Sequence, residues 1–531
     1  MEARDTKELL QANLDKLSQT LEKLREMPTT QANEEISHLT PMLDIFFSHL
    51  SACPDPSHLP SLVLASYLLL TFKLIGHIQE ALEGLPAARA LENLVVCSAK
   101  LGVLVTGWKG LCRMPMDDLL ALPKDHPRWL QLHSYTEIHR PKDASSLRLN
   151  IEDMYKTAIW AHAFVSKGLA HSSLTMRRLV TGFYCFYYSL TSHQAYHQAR
   201  LNFARPAKGS LVTLARCEDS VLIKLFERSP HKLQTHQMVF ISRDSGRLAP
   251  ESADSIPVRI LSTANFPVSK GKTAMDCAVS QEFQPIKVVL HCHGGGFVSM
   301  SSGGHLPYLA KWAVDTPGCL VVSVDYRLAP EHPYPAGLED VWTVYRWLLG
   351  RFGEDMGLFA SKIVLAGDSA GGHLALGCLI KAIQAETRKP EGLVLAYPAL
   401  ILDPVHYTPS LCLSLDDMVL NHAFLSTCLA SYVQDPALDP ATDPLLSPGL
   451  ASKALLAQFP PIRLLMGTLD PLGDDCLRFT ERLVAAKVDT RLAVFEGLVH
   501  GGMNHMIKSE NEDVRALSVR ACGFISELLG N

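Results

Sequence analysis

Three observations predict an α/β protein with a mostly parallel sheet, preceded by an all-α region. Apolar runs alternate with helical patterns after Gln284. One of those runs ends in Gly367-Asp368-Ser369-Ala370-Gly371, a serine between glycines. Before about Ala215 the apolar residues recur only at helical period.

In the N-terminal part, Leu10, Leu14, Leu17, Leu21 and Leu24 recur at alternating steps of four and three until Pro28 ends the run. That stripe is too short for a coiled coil and reads as a bundle helix. Ser61–Ile75, Leu91–Leu104, Met154–Phe164 and Arg178–Leu190 continue the helical pattern. The longest apolar stretch, Leu59–Phe72, falls short of the ~20 residues that span a bilayer and reads as a buried helix. The aromatic run Phe183–Leu190 suits a core or an interfacial surface.

Between Gly209 and Gln284 short β-type runs appear, Met238–Ile241 and Val258–Leu261, set off by Ser, Asp, Gly and Pro. This places a helical domain at 1–215, serving as a docking, regulatory or cap module, and the sheet domain at 216–531. Strands are expected at Lys287–Cys292, Cys319–Val324, Lys362–Ala366, Gly392–Ala396, Ile462–Met466 and Arg491–Phe495. Helices are expected at Leu306–Val314, Leu338–Leu349, Gly372–Ala385, Asp475–Ala486 and Asn511–Leu529. Continuous apolar strands between helices mean a sheet covered on both faces. The segment 403–460 breaks the alternation, with a helical stretch near Met418–Tyr432, and reads as a lid or acyl-pocket segment.

Composition excludes several classes. A formal charge of −5 and no long run of one sign leave no basic field for nucleic acid. The 13 cysteines are scattered without a C-x-x-C pair, as expected of reduced thiols. The polar N-terminus lacks an apolar signal core, so a cytoplasmic protein is expected. Oligomeric state is not legible.

A nucleophilic serine needs a base, and the base needs an acid to hold its tautomer. When the serine sits on a strand-turn-helix, chain order runs Ser, then Asp or Glu, then His. Ser369 is followed by Asp470, just beyond the run Ile462–Met466, and by His500, just beyond Arg491–Phe495. Asp474 and Asp475 compete as the acid, but they suit the start of the next helix, where carboxylates favour the dipole. His505 competes as the base but lies farther from the strand end. An oxyanion needs fixed backbone donors, which the N–H groups of Gly295, Gly296 and Ala370 can supply, with His293 and Gly294 shaping the loop. His291 and His293 share one strand face without an accompanying carboxylate cluster, so no metal is expected.

The stretches HCHGGGF from His291, SVDYRLAPEHPYPAGLEDV from Ser323, GDSAGG from Gly367 and Asp-Pro-Leu from Asp470 resemble the hormone-sensitive-lipase group of α/β-hydrolase esterases. The resemblance covers Lys287–Leu529. It implies an α/β-hydrolase fold, Ser369 as nucleophile with Asp470 and His500 as partners, and hydrolysis of acyl esters without a cofactor. Acylglycerols or sterol esters are then the expected substrates, at a lipid-droplet or membrane surface met by the helical half. A soluble carboxylesterase for small esters and a non-catalytic lipid-binding scaffold are the alternatives. Three departures stand out: His373 where the group often has asparagine, Gly502 where an aromatic residue often follows His-Gly, and a segment 403–460 too short for the long regulatory insertion. Asp325, Arg327 and Glu331 are expected to form a buried, hydrogen-bonded frame. The turn Ser299–Gly304 and His305 are expected at the pocket mouth.

Overall fold

The structure, a computed structural model, describes residues 100, 131–145, 162–169, 171, 173–191, 194–195, 198–199, 211–213, 215–216, 233–265, 283–404, 406–415, 417, 419–504 and 512–530. The leucine stripe from Leu10, the apolar stretch from Leu59, the run Ser61–Ile75, most of Leu91–Leu104, most of Met154–Phe164 and His505 lie outside them. The chain divides into two compact units. The larger comprises Lys124–Thr157, Val212–Pro404 and Leu425–Asn531, and the smaller comprises Met1–Pro123, Ala158–Leu211 and Val405–Phe424.

In chain order the named elements are β1 (Thr136–His139), α1 (Leu174–Leu190), β2 (Thr235–Ser242), β3 (Ser255–Ser262), β4 (Gln284–Cys292), α2 (Leu306–Asp315), β5 (Cys319–Val324), α3 (Ala336–Gly350), α4 (Phe352–Met356) and β6 (Leu358–Asp368). They continue with α5 (Ala370–Gln384), β7 (Gly392–Ala396), α6 (His422–Tyr432), α7 (Lys453–Leu456), β8 (Ile462–Leu469), α8 (Gly473–Ala485), β9 (Thr490–Val499) and α9 (Glu512–Leu529).

The larger unit is built on one nine-stranded sheet in the order β1-β9-β8-β7-β6-β4-β5-β3-β2. The strands from β1 to β5 in that order pair in parallel, while β3 runs antiparallel to both β5 and β2. Every residue of β5 and β7 is buried, as a sheet covered on both faces requires. One face supplies Val289, Val321, Val364, Ala366, Val394, Leu465, Ala493 and Phe495 to a core shared with α2 and α9. The indole N–H of Trp312 on α2 donates to the Ser518 carbonyl of α9 at 3.3 Å, closing this layer. Helices α3 and α5 pack together elsewhere on the sheet, where the absence of a side chain at Gly377 admits Leu338.

Most predicted strands run longer than the sequence implied, because the ladder continues past the apolar core residues. β6 extends to Asp368 and β9 to Val499, so each ends next to a predicted site residue. One strand lies within the stretch read as helical: β1, Thr136–His139, pairs with Leu492–Phe495 of β9. Four residues in a polar setting carry too little alternation to be recognised. β1 is secured instead by long-range pairs, Glu137 with Arg520 on α9 and Lys142 with Glu512.

In the smaller unit, α1 buries Tyr188 while Met176, Leu179, Phe183, Phe186 and Leu190 are exposed. Spacings of three and four residues put those five on one stripe. Among the described residues no helix is long and apolar enough to cross a membrane.

Candidate active site

The strand order reverses direction of growth at β4 and β6, and such a switch point leaves a crevice beyond the strands' carboxyl ends. In register, Cys292 pairs with Gly367. The two glycine-bearing loops therefore leave the sheet side by side.

Ser369 sits between β6 and α5 with φ 54° and ψ −121°, a backbone region that L-residues seldom occupy. Its amide donates to the Ala396 carbonyl at 2.9 Å, and its carbonyl accepts from Ala399 at 3.1 Å. These bonds over-determine the strained turn. A Cβ on Gly371 would lie 2.0 Å from the Cys292 carbonyl oxygen, so the backbones meet only because glycine stands there.

From this turn the Ser369 hydroxyl lies 2.9 Å from Nε2 of His500. On its other side the His500 Nδ1 lies 2.9 and 3.0 Å from the two carboxylate oxygens of Asp470. A carboxylate only accepts, so Nδ1 carries the proton and Nε2 is free to accept from the hydroxyl. Asp470 is fully buried and also accepts from the Leu472 amide at 2.8 Å. Tyr397 packs edge-on against the His500 ring at 4.8 Å, and its hydroxyl accepts from the Met503 amide. The competing Asp474 and Asp475 stand in the first turn of α8 and are buried there.

The loop after β4 carries Gly295 at φ 112° and Gly296 at φ 62°. Its carbonyls are held from behind. The His293 Nδ1–H donates to Gly294 O at 2.8 Å, while Val298 N, Ser299 N and the Ser299 hydroxyl all reach Gly295 O at 3.0 to 3.1 Å. A trans peptide points its N–H opposite its C=O, so fixing these carbonyls fixes the Gly295 and Gly296 N–H directions. Ala370 opens α5 directly after Ser369, where helix N–H groups have no partner within the helix.

A model of the alpha/beta hydrolase fold matches residues 289–504. Human hormone-sensitive lipase is 42% identical over 151 residues, which are 27% of this chain and 13% of that protein. Esterase LipI of Mycobacterium tuberculosis is 32% identical over 305 residues, covering 53% of this chain and 87% of the relative. The chain belongs to the hormone-sensitive-lipase type of α/β-hydrolases. Among solved structures, an esterase of Pyrobaculum calidifontis is similar at 25% identity with a TM-score of 0.51, over 60% of this chain and 94% of that one.

Around the hydrolase motifs the structure holds groups that sequence reasoning passed over. Asp368, the residue before the serine, is buried and accepts from the Gly294 amide at 3.1 Å and the Tyr308 hydroxyl at 2.9 Å. His305 Nε2 approaches its other oxygen at 3.4 Å. Burial pushes the Asp368 carboxyl up, but the His305 and His291 imidazoles outweigh that and hold it well below the usual carboxylate range. Asp368 thus ties the oxyanion-side loop to the serine turn. The chain position gave no hint of this, because the bonds cross from β6 to the loop after β4 and to α2.

Two expectations are corrected. His305 is fully buried behind the glycine loop, where Nδ1 meets Ser301 O at 2.9 Å, and is not at a pocket mouth. Asp325 and Arg327 do serve as hydrogen-bonded supports, with Asp325 accepting from Ser302 and Arg327 bonding Asp340. Glu331 instead lies exposed and pairs with Arg216, since an ion pair at the surface needs no burial. His291 and His293 are engaged within the protein: His291 meets Ser323 at 2.9 Å and Tyr308 at 2.8 Å, and His293 stacks on Tyr326 at 4.2 Å.

His373, on the first turn of α5, is fully buried with Nδ1 2.9 Å from Ala399 O and its ring edge-on to Phe297. Phe297 in turn stacks on Tyr432 of α6 at 3.9 Å. Burial lowers the imidazole of His373 to about 4 and that of His293 to about 3. The unfolded chain therefore binds protons that these rings refuse, and the stabilisation they contribute is complete above pH ~6.5 and lost as pH falls toward about 4 for His373 and about 3 for His293. The expected cost of lowering pH from 7 to 5 is on the order of 2 kcal/mol for each ring. Urea unfolding at pH 7 and 5 measures it. The His373→Asn variant, which keeps a donor for Ala399 O without a titrating ring, should lose less; an equal loss would remove His373 from the account.

Proposed function

We propose that the chain is a serine hydrolase of carboxylic esters, acting through an acyl-enzyme on Ser369. The observation that carries this reading is the continuous hydrogen-bonded line from Ser369 through His500 to buried Asp470, beside a loop with two oriented amides. His500 Nε2 takes the hydroxyl proton as the Ser369 oxygen attacks the ester carbonyl. The electron pair moves to the carbonyl oxygen, which the N–H groups of Gly295, Gly296 and Ala370 stabilise. His500 then passes its proton to the leaving alcohol, and Asp470 supports the imidazolium while it exists. Water repeats the sequence, with His500 taking one of its protons, and frees the acid. This route uses no cofactor.

For substrate, neutral-lipid esters, acylglycerols or sterol esters, are the reading favoured by α1. Its exposed stripe includes Leu179 at 63%, Phe183 at 63% and Leu190 at 71% exposure, and the helix has no acidic residue but carries an exposed Arg178. An apolar face with a basic flank suits a lipid interface. Within the segment 403–460, the part that carries Tyr432 is proposed as acyl-pocket wall, since Tyr432 stacks on Phe297 next to the glycine loop.

The test is a panel of p-nitrophenyl and glycerol esters of rising chain length, with and without an emulsified interface, together with fluorophosphonate labelling. Long-chain rates should rise at the interface, labelling should require Ser369, and a Leu179→Ser/Phe183→Ser pair should lower the interfacial rate several-fold while sparing soluble short esters. Preference for short soluble esters would point to a soluble carboxylesterase, and an unlabelled protein would point to a scaffold.

A further inference from the structure

The glycine loop is held on its outer side by an arginine that belongs to neither glycine motif. From Arg216, Nε donates to the Val298 carbonyl at 2.6 Å and Nη2 to the Ala329 carbonyl at 2.6 Å. The same guanidinium grips Glu331 with Nη1 at 2.7 Å and Nη2 at 2.8 Å. Val298 and Ala329 are buried, and the Ala329 amide donates to Phe297 O at 2.9 Å, so the arginine clips together two segments that already meet. These four bonds use four of the five N–H groups a guanidinium offers.

Peptide planarity carries the consequence inward. With the Val298 carbonyl turned toward Arg216, the Ser299 N–H of the same plane faces the other way. There it donates to Gly295 O at 3.1 Å. With the Gly295 carbonyl held, the Gly296 N–H of that plane must face the opposite side. We propose that Arg216 is a positioning residue for the reaction, setting the direction of the Gly296 donor through these two peptide planes. The inference rests on the ester-hydrolase reading of the site. Lysine cannot replace this arginine, because one ammonium cannot meet two carbonyls and a carboxylate at fixed angles.

The experiment compares wild type, Arg216→Ala, Arg216→Lys and Glu331→Gln in the full chain. The readouts are kcat and KM on a short p-nitrophenyl ester, inhibition by a trifluoromethyl ketone that forms an oxyanion on the serine, and thermal stability. For both Arg216 variants kcat should fall about 10-fold with KM within about 2-fold, the ketone should weaken by the same factor, and methylguanidinium should partly restore Arg216→Ala. Glu331→Gln, which leaves both carbonyl bonds, should change kcat by less than about 3-fold. A folded Arg216→Ala with unchanged kcat would overturn the inference, as would a lower kcat without weaker ketone binding. If Arg216→Ala does not fold, Arg216→Lys decides by the same two readouts. A wild type without Ser369-dependent hydrolysis overturns the functional reading and this inference with it, whereas normal wild-type activity with insensitive Arg216 variants overturns this inference alone.

Discussion

Replacing Ser369 with alanine is expected to lower kcat by roughly 10⁵- to 10⁶-fold on a short p-nitrophenyl ester, while leaving the protein folded. In the proposed mechanism the hydroxyl is the atom that attacks, and the His500 to Asp470 pair has nothing to activate once it is gone. Losing the hydroxyl costs little stability, because the turn is held by backbone bonds to Ala396 and Ala399. Strain makes a second readout available. At φ 54° and ψ −121° alanine keeps the penalty that glycine escapes, so Ser369→Gly should be more stable than Ser369→Ala by about 1 kcal/mol. Purified Ser369→Ala that still turns over the ester at a tenth of the wild-type rate would dismiss this nucleophile.

The largest expected effect on stability belongs to Gly371→Ala. The added methyl would stand 2.0 Å from Cys292 O and 2.6 Å from His293 O, both backbone atoms of the strand end that launches the glycine loop. Neither can retreat without breaking the β4 to β6 ladder, so a loss above about 3 kcal/mol is expected. Gly377→Ala is the matched control, since its methyl meets only the end of the Leu338 side chain, at 2.9 Å, and a rotamer change relieves it. Urea unfolding of the two variants compares them. Equal, small losses would mean that the helix start has room that the geometry denies.

Much of the site was legible because the chemistry demands rare local arrangements. Ser369 had to be flanked by glycines, and its partners had to follow in a set order after strand ends, so Asp470 and His500 were readable from residue type and position. The structure brings these three side chains together. In the catalytic part the strands β4 to β9 and the helices α2, α3, α5, α8 and α9 were legible from the alternation of apolar runs and helical period, apart from their ends, which depend on ladder partners. Features made by contacts distant in sequence were hidden. Asp368 looks like a spacer until Gly294 and Tyr308 are seen to bond it, and Glu331 could not be placed at the surface without Arg216. β1 was missed because its four residues owe their shape to β9 rather than to their own pattern.

That last pairing bears on how the molecule is made. Among the described residues β1 is the first strand of the sheet in chain order, yet its ladder partner there is β9, the last of the nine. The Arg140 to Glu496 pair beside it joins residues 356 apart in the chain. During vectorial synthesis β1 cannot form this pairing until Thr490–Val499 has emerged, and the strand that presents His500 gains β1 as its neighbour only then. The β1 edge of the sheet and the placing of His500 beside Ser369 thus wait for the same stretch of chain.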